Sequence, residues 1–151
     1  MQMATKRELT APCGIDCFNC EVQEANITPT TRAYLAQRLG RQPDAVGCPG
    51  CRASGGCRLA YKTCPTLECA REHGAEFCSD CTDFPCAKLA PTADSADRYP
   101  HNYKVYNLAL IKAKGFDAWA ETHAADTRQR YYKGRLVVGN GPVLEDITPK
   151  A

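Results

Sequence analysis

Hydrophobic and polar positions alternate in three different ways along this chain. Residues 28–40, "TPTTRAYLAQRLG", predict a helix with Thr28 as N-cap, Pro29 in the first turn, Leu35 and Leu39 one turn apart, and Gly40 as the stop. "CPTLECAREHG" repeats that grammar, with Pro65 in the first turn, Gly74 at the end and Cys64 at the helix N-terminus, where the peptide dipoles favour a thiolate. Upstream, Ile15 to Ala25 predicts a short helix with Asp16 near its start and Cys17 and Cys20 at i and i+3 on one face. The rest of the first 90 residues reads as loop.

Further along, "HNYKVYNLALIKAKG" sets Tyr103, Tyr106 and Leu110 in one helical stripe with Leu108 and Ile111 beside it, and Gly115 ends the run. "FDAWAETHAA" then opens a second helix with Phe116, Trp119, Ala120 and His123 on one side. Such a stripe is read as core rather than as a cofactor box, and His101 and His123 as packed or surface residues rather than ligands. "RLVVGNGPV" predicts a short strand and a Gly-Asn-Gly turn; with no helix after its GxG it is no phosphate loop.

Composition changes the picture. Leu, Ile, Val and Phe together number only 24 of 151 residues, so aliphatic burial alone is a thin basis for a fold, while the net charge of +2 argues against a disordered polyelectrolyte. Eleven cysteines fill the gap, all between Cys13 and Cys86. The opening "MQMATKRELT" has no apolar h-region, so a cytoplasmic location is expected, where thiols stay reduced; an odd count also cannot pair completely. Metal binding is therefore expected rather than a disulfide framework.

Spacing sharpens that expectation. "CPGC" (Cys48, Cys51) and "CSDC" (Cys78, Cys81) are CxxC pairs of the kind that form zinc knuckles. In chain order, Cys48, Cys51, Cys57 and Cys64 make one four-sulfur site, and Cys69, Cys78, Cys81 and Cys86 a second. Cys13, Cys17 and Cys20 are left over; they bind a cluster with one open iron, recruit His73 as a fourth ligand, or interleave with the later cysteines. Arg52, Arg58, Lys62 and Arg71 offset the charge of a four-thiolate zinc site, so they require no nucleic acid.

The CxxxCxxC spacing of "APCGIDCFNC" is also that of radical-SAM enzymes. Their partial βα barrel needs more chain and strand-helix alternation than this sequence has. The aromatic is also misplaced, since Asn19 rather than Phe18 precedes Cys20.

Taken together, "APCGIDCFNC", "CPGC" and "CPTLECAREHGAEFCSDCTDFPCAKL" resemble the cysteine-rich domain of unknown function 3795 family of bacteria and archaea. The likeness covers about residues 11–90 and extends more weakly through "NLALIKAKGFDAWAE". The resemblance implies that Cys13, Cys17, Cys20, Cys48, Cys51, Cys64, Cys69, Cys78, Cys81 and Cys86 belong to the family pattern, with Cys57 outside it. The family is functionally uncharacterised, so the resemblance implies metal without a reaction.

The expected architecture is a small metal-stabilised domain, mainly α with irregular loops and a short β element. It combines a zinc-knuckle-containing, cysteine-rich region over 11–90 with a C-terminal helical pair and β element over 98–151, packed as one domain. The expected cofactor is zinc, two or more ions, in mainly structural sites that brace a surface for a protein or small ligand. The alternative is an iron-sulfur protein, for electron transfer or chemistry at an open cluster, using Cys13, Cys17 and Cys20. Nineteen basic against 17 acidic residues and no basic helical stripe weigh against nucleic acid, and no span of sequence predicts membrane insertion. No catalytic residue is assigned, because no Ser-His-Asp order, carboxylate pair or phosphate loop supports a particular reaction.

Overall fold

The computed structural model describes residues 4–59, 63–86, 88–89 and 101–133. It is mainly helical, and among the described residues there is no strand, only isolated bridges between Thr10 and Asp16 and between Gln23 and Cys48. The expected β element at 135–143 lies outside the described residues. The chain divides into two compact units: residues 1–11 with 16–69, and residues 12–15 with 70–151.

In the first unit, α1 (Pro29–Leu39) forms where expected because its ends are locally specified. The Thr28 hydroxyl accepts from the Thr31 N–H at 3.1 Å, and the N–H groups of Gly40 and Arg41 return to carbonyls of the last turn. Its buried position is Ala36, however, while Leu39 is exposed, so the Leu35–Leu39 stripe does not define the inward face. From this helix the Arg32 guanidinium donates to the carbonyls of Pro43 and Val46, tying the short 3₁₀ turn Pro43–Ala45 to it. The helix α2 (Cys51–Ser54) is a single turn, and α3 (Pro65–Glu72), whose last residues from Ala70 on belong to the second unit, follows the predicted Pro-to-Gly frame.

The helix expected over 15–25 is absent. Only Cys17–Asn19 makes a 3₁₀ turn, after which Cys20 is extended and turns follow. Polar side chains take over the backbone partners that a helix would use. Asn26 donates to the carbonyls of Phe18 and Cys20, and the Gln23 amide oxygen accepts from the Ala25 N–H.

The second unit holds α4 (His101–Lys114), α5 (Phe116–Thr122) and α6 (Ala124–Lys133). Among the described residues the expected pair is thus three helices. The second breaks at His123, whose φ of −120° leaves the helical range, just after the Thr122 hydroxyl back-bonds to the Ala118 carbonyl. α6 is polar along most of its length, with Ala124 and Thr127 buried and Tyr131 half-buried at helical spacing, a weak periodic signal. Burial pushes the Tyr131 hydroxyl pKa up.

An aromatic core fills this unit. Trp119 and Tyr103 are fully buried, Phe77 stacks on Phe116 at 5.5 Å between ring centroids, and Phe116 meets Trp119 at 5.7 Å. Tyr103 packs on Tyr131 at 5.0 Å. A fully buried polar residue, Asn107, lies on the α4 face that also buries Tyr103, Leu108 and Ile111. Its amide donates to the Gly14 carbonyl at 2.8 Å while its oxygen accepts from the Trp119 indole at 3.2 Å. Gly14 itself has φ of +89°, and a Cβ there would sit 2.8 Å from the Lys104 carbonyl oxygen. No larger residue fits both that conformation and that approach.

Candidate metal centre

None of the eleven cysteines, all among the described residues, is in a disulfide. Seven (Cys17, Cys20, Cys48, Cys51, Cys57, Cys64 and Cys69) fall in the first unit and four (Cys13, Cys78, Cys81 and Cys86) in the second.

Two of the C-x-x-C segments share one backbone form. Cys17–Asn19 and Cys78–Asp80 are each a 3₁₀ turn, closed by a hydrogen bond from the N–H of the second cysteine to the carbonyl of the first, at 3.0 Å for Cys20 and 3.2 Å for Cys81. Cys20 and Cys81 then leave the turn with nearly the same extended dihedrals, φ/ψ of −69°/133° and −73°/142°. Each turn is pinned by a carboxylate. Asp16, fully buried, accepts from the Asn19 amide at 2.9 Å, and Asp80 accepts from the Phe77 N–H at 2.9 Å. In each segment the first cysteine therefore opens the 3₁₀ turn and the second caps it, so the two residues are held within a single closed turn of backbone.

The third C-x-x-C, Cys48 to Cys51, runs differently. The Cys48 N–H donates to the Val22 carbonyl at 2.9 Å and its own carbonyl accepts from the Glu24 N–H at 3.1 Å, which ties Cys48 to the segment following Cys20. Cys51 opens α2, and Ser54 bonds back to the Gly50 carbonyl through both its N–H and its hydroxyl. The Cys64 N–H donates to the Gly55 carbonyl, and a Cβ at Gly56 would lie 2.9 Å from the Cys64 Cβ, so this close approach needs glycine. Cys57 is exposed. Arg52 and Arg58 donate to the carbonyls of Thr10 and Gly47, which gives both residues structural partners; Lys62 lies outside the described residues.

In the second unit, the Cys78 N–H donates to the Pro12 carbonyl at 2.8 Å, joining the stretch that carries buried Cys13 to the second 3₁₀ turn. Ser79, between the two cysteines, is buried, and its carbonyl accepts from Lys112 at 3.4 Å.

Among the described residues, one set of three His, Cys, Asp or Glu side chains brings its ligand atoms within 4.8 Å of one another: His73, Cys81 and Asp83. Cys81 and His73 were candidates from sequence, His73 as a partner of Cys13, Cys17 and Cys20. The structure places His73 with Cys81 instead. Asp83 was not anticipated, and its signal, a carboxylate two residues beyond a CxxC, is too common to single out. Cys78 is outside this set, and no zinc knuckle is shown among the described residues. No helix among the described residues is long and apolar enough to cross a membrane.

A family model described as protein of unknown function (DUF3795) matches residues 9–91, more than half of the chain. No curated protein and no solved structure matches.

Proposed function

The chain belongs to the DUF3795 family, and from that premise we propose that it is a zinc-binding protein whose sites are mainly structural and brace a surface for a protein or small ligand. The observation that supports zinc is the pair of matching 3₁₀ turns, Cys17–Cys20 and Cys78–Cys81, one in each unit. Each holds two cysteines within one turn of backbone that is already closed by its own hydrogen bond, so two prospective thiolate ligands need little further chain ordering when an ion arrives. The donor set is the one zinc takes in structural sites, thiolate sulfur with imidazole nitrogen in reserve. Among the described residues the first unit buries few apolar side chains, Ala11, Ala36, Val46 and Leu67, which leaves much for metal cross-links to hold.

Anaerobic purification, a visible spectrum, and counts of zinc, iron and acid-labile sulfide per chain test this reading. The expected result is a colourless protein with about two zinc ions per chain. A brown protein holding iron and sulfide overturns it and installs the iron-sulfur alternative.

A further inference from the structure

His73, Cys81 and Asp83 come from two short stretches whose backbones are fixed by local hydrogen bonds. α3 ends with the Gly74 N–H on the Arg71 carbonyl at 3.1 Å and the Ala75 N–H on the Ala70 carbonyl at 2.9 Å, and His73 stands in that closing turn. Cys81 ends the second 3₁₀ turn, and the Phe84 N–H donates back to the Cys81 carbonyl at 3.2 Å, closing a further turn that contains Asp83. Both ends of the trio are thus held before any ligand arrives. Their ligand atoms lie within 4.8 Å of one another, with Cys81 half-buried and the other two exposed.

Tetrahedral zinc, with bonds of about 2.0–2.3 Å, sets neighbouring ligand atoms roughly 3.3–3.8 Å apart. The trio therefore needs to close by at most about 1–1.5 Å, which side-chain rotation supplies on an exposed surface. The chemistry selects the ion. A thiolate and an imidazole disfavour magnesium and calcium, which take oxygen, and suit the zinc class, with the carboxylate as a compatible third donor. One thiolate and one carboxylate also cancel the two positive charges of the ion.

We propose that His73, Cys81 and Asp83 together bind one divalent cation of the zinc class, so that Cys81 is joined at the ion by imidazole and carboxylate. This rests on the zinc reading above. Three protein ligands of this kind leave a coordination position for solvent or an external ligand unless a further thiol occupies it.

Zinc-edge X-ray absorption of the purified wild-type protein, combined with zinc counts for the full-length variants His73→Ala, Asp83→Ala and the double variant, tests the assignment. The wild-type spectrum is expected to contain a nitrogen/oxygen shell at about 2.0–2.2 Å beside sulfur at about 2.3 Å. Each single variant is expected to lose one zinc equivalent with unchanged far-ultraviolet circular dichroism, and the double variant to lose no more than either single one, because the two residues share one ion. A sulfur-only shell in the wild type overturns the mixed site whatever the variants do. So does full zinc content in His73→Ala, the result expected of a merely hydrogen-bonded trio. In both cases the zinc reading stands. Absence of zinc from the wild type overturns that reading and this one with it.

Discussion

The two units are built on different physics. In the second, Phe77, Tyr103, Leu108, Ile111 and Trp119 are buried around one aromatic cluster, and three helices supply the frame. In the first, the buried apolar side chains among the described residues are two alanines, one valine and one leucine, while seven cysteines and a series of turns make up much of the rest. Burying a large side chain contributes about 1.5–3 kcal/mol, so the second unit holds several such contributions and the first few. The contrast shows how one chain can hold part of its structure by apolar packing and leave the remainder to cross-links between loops, which on the zinc reading are metal-thiolate bonds.

The largest expected effect tests that contrast directly. Stripping metal with a strong chelator under reducing conditions is expected to abolish slow amide exchange across residues 16–59, because structural zinc contributes on the order of 10 kcal/mol to small domains. Protection in 103–131 is expected to survive, as read by hydrogen-exchange mass spectrometry; equal loss in both units would refute the division of labour. Trp119→Ala should do the reverse, costing about 3–5 kcal/mol in chemical unfolding of the helical unit through the cavity it leaves, with zinc content unchanged.

A comparable loss is expected from Asn107→Leu. The substitution leaves the Gly14 carbonyl and the Trp119 indole without their buried partner, at about 1–3 kcal/mol for each unsatisfied group. A Leu variant as stable as the wild type in denaturant titration would mean that this bridge carries no net stability. Thr28→Ala removes the α1 N-cap and is expected to cost about 1 kcal/mol, confined to the first unit and seen as faster exchange at the start of that helix.

The smallest effect concerns pH. Burial raises the Tyr131 pKa above 10.0, so the folded chain keeps that proton where the unfolded chain releases it. Stability is therefore expected to fall as pH climbs past 10.0, and Tyr131→Phe to fall less steeply. Parallel denaturation midpoints for the two proteins across this range would remove Tyr131 from the explanation.

Most of what could be read from the chain was written locally. α1 and α3 formed because Thr28, Pro29, Gly40, Pro65 and Gly74 specify their ends within a few residues, whatever else the chain does. The 15–25 segment misled for the same reason in reverse. Its spacing suits a helix, but Asp16, Gln23 and Asn26 offer the backbone competing partners, and these prevail in the folded state. The periodicity of α4 picked out Tyr103, with Leu108 and Ile111 beside it, but centred the stripe on Tyr106 and Leu110, which are only half-buried. It also passed over Asn107, because a polar residue becomes a core residue only when a carbonyl and an indole arrive from residues 93 positions before it and 12 after.

By itself, the sequence determined that this is a mainly helical, cysteine-rich chain of the DUF3795 family with too few aliphatic residues to depend on an oily core throughout. Composition, capping residues and CxxC spacing are properties of short windows, and they survive without knowledge of the fold. Only the tertiary structure decided that two of the C-x-x-C segments make the same closed turn, that seven cysteines fall in one unit and four in the other, and that His73 and Asp83 stand beside Cys81. Those facts depend on where turns bring distant side chains, and ligand chemistry is set by distances between atoms rather than by intervals along the chain.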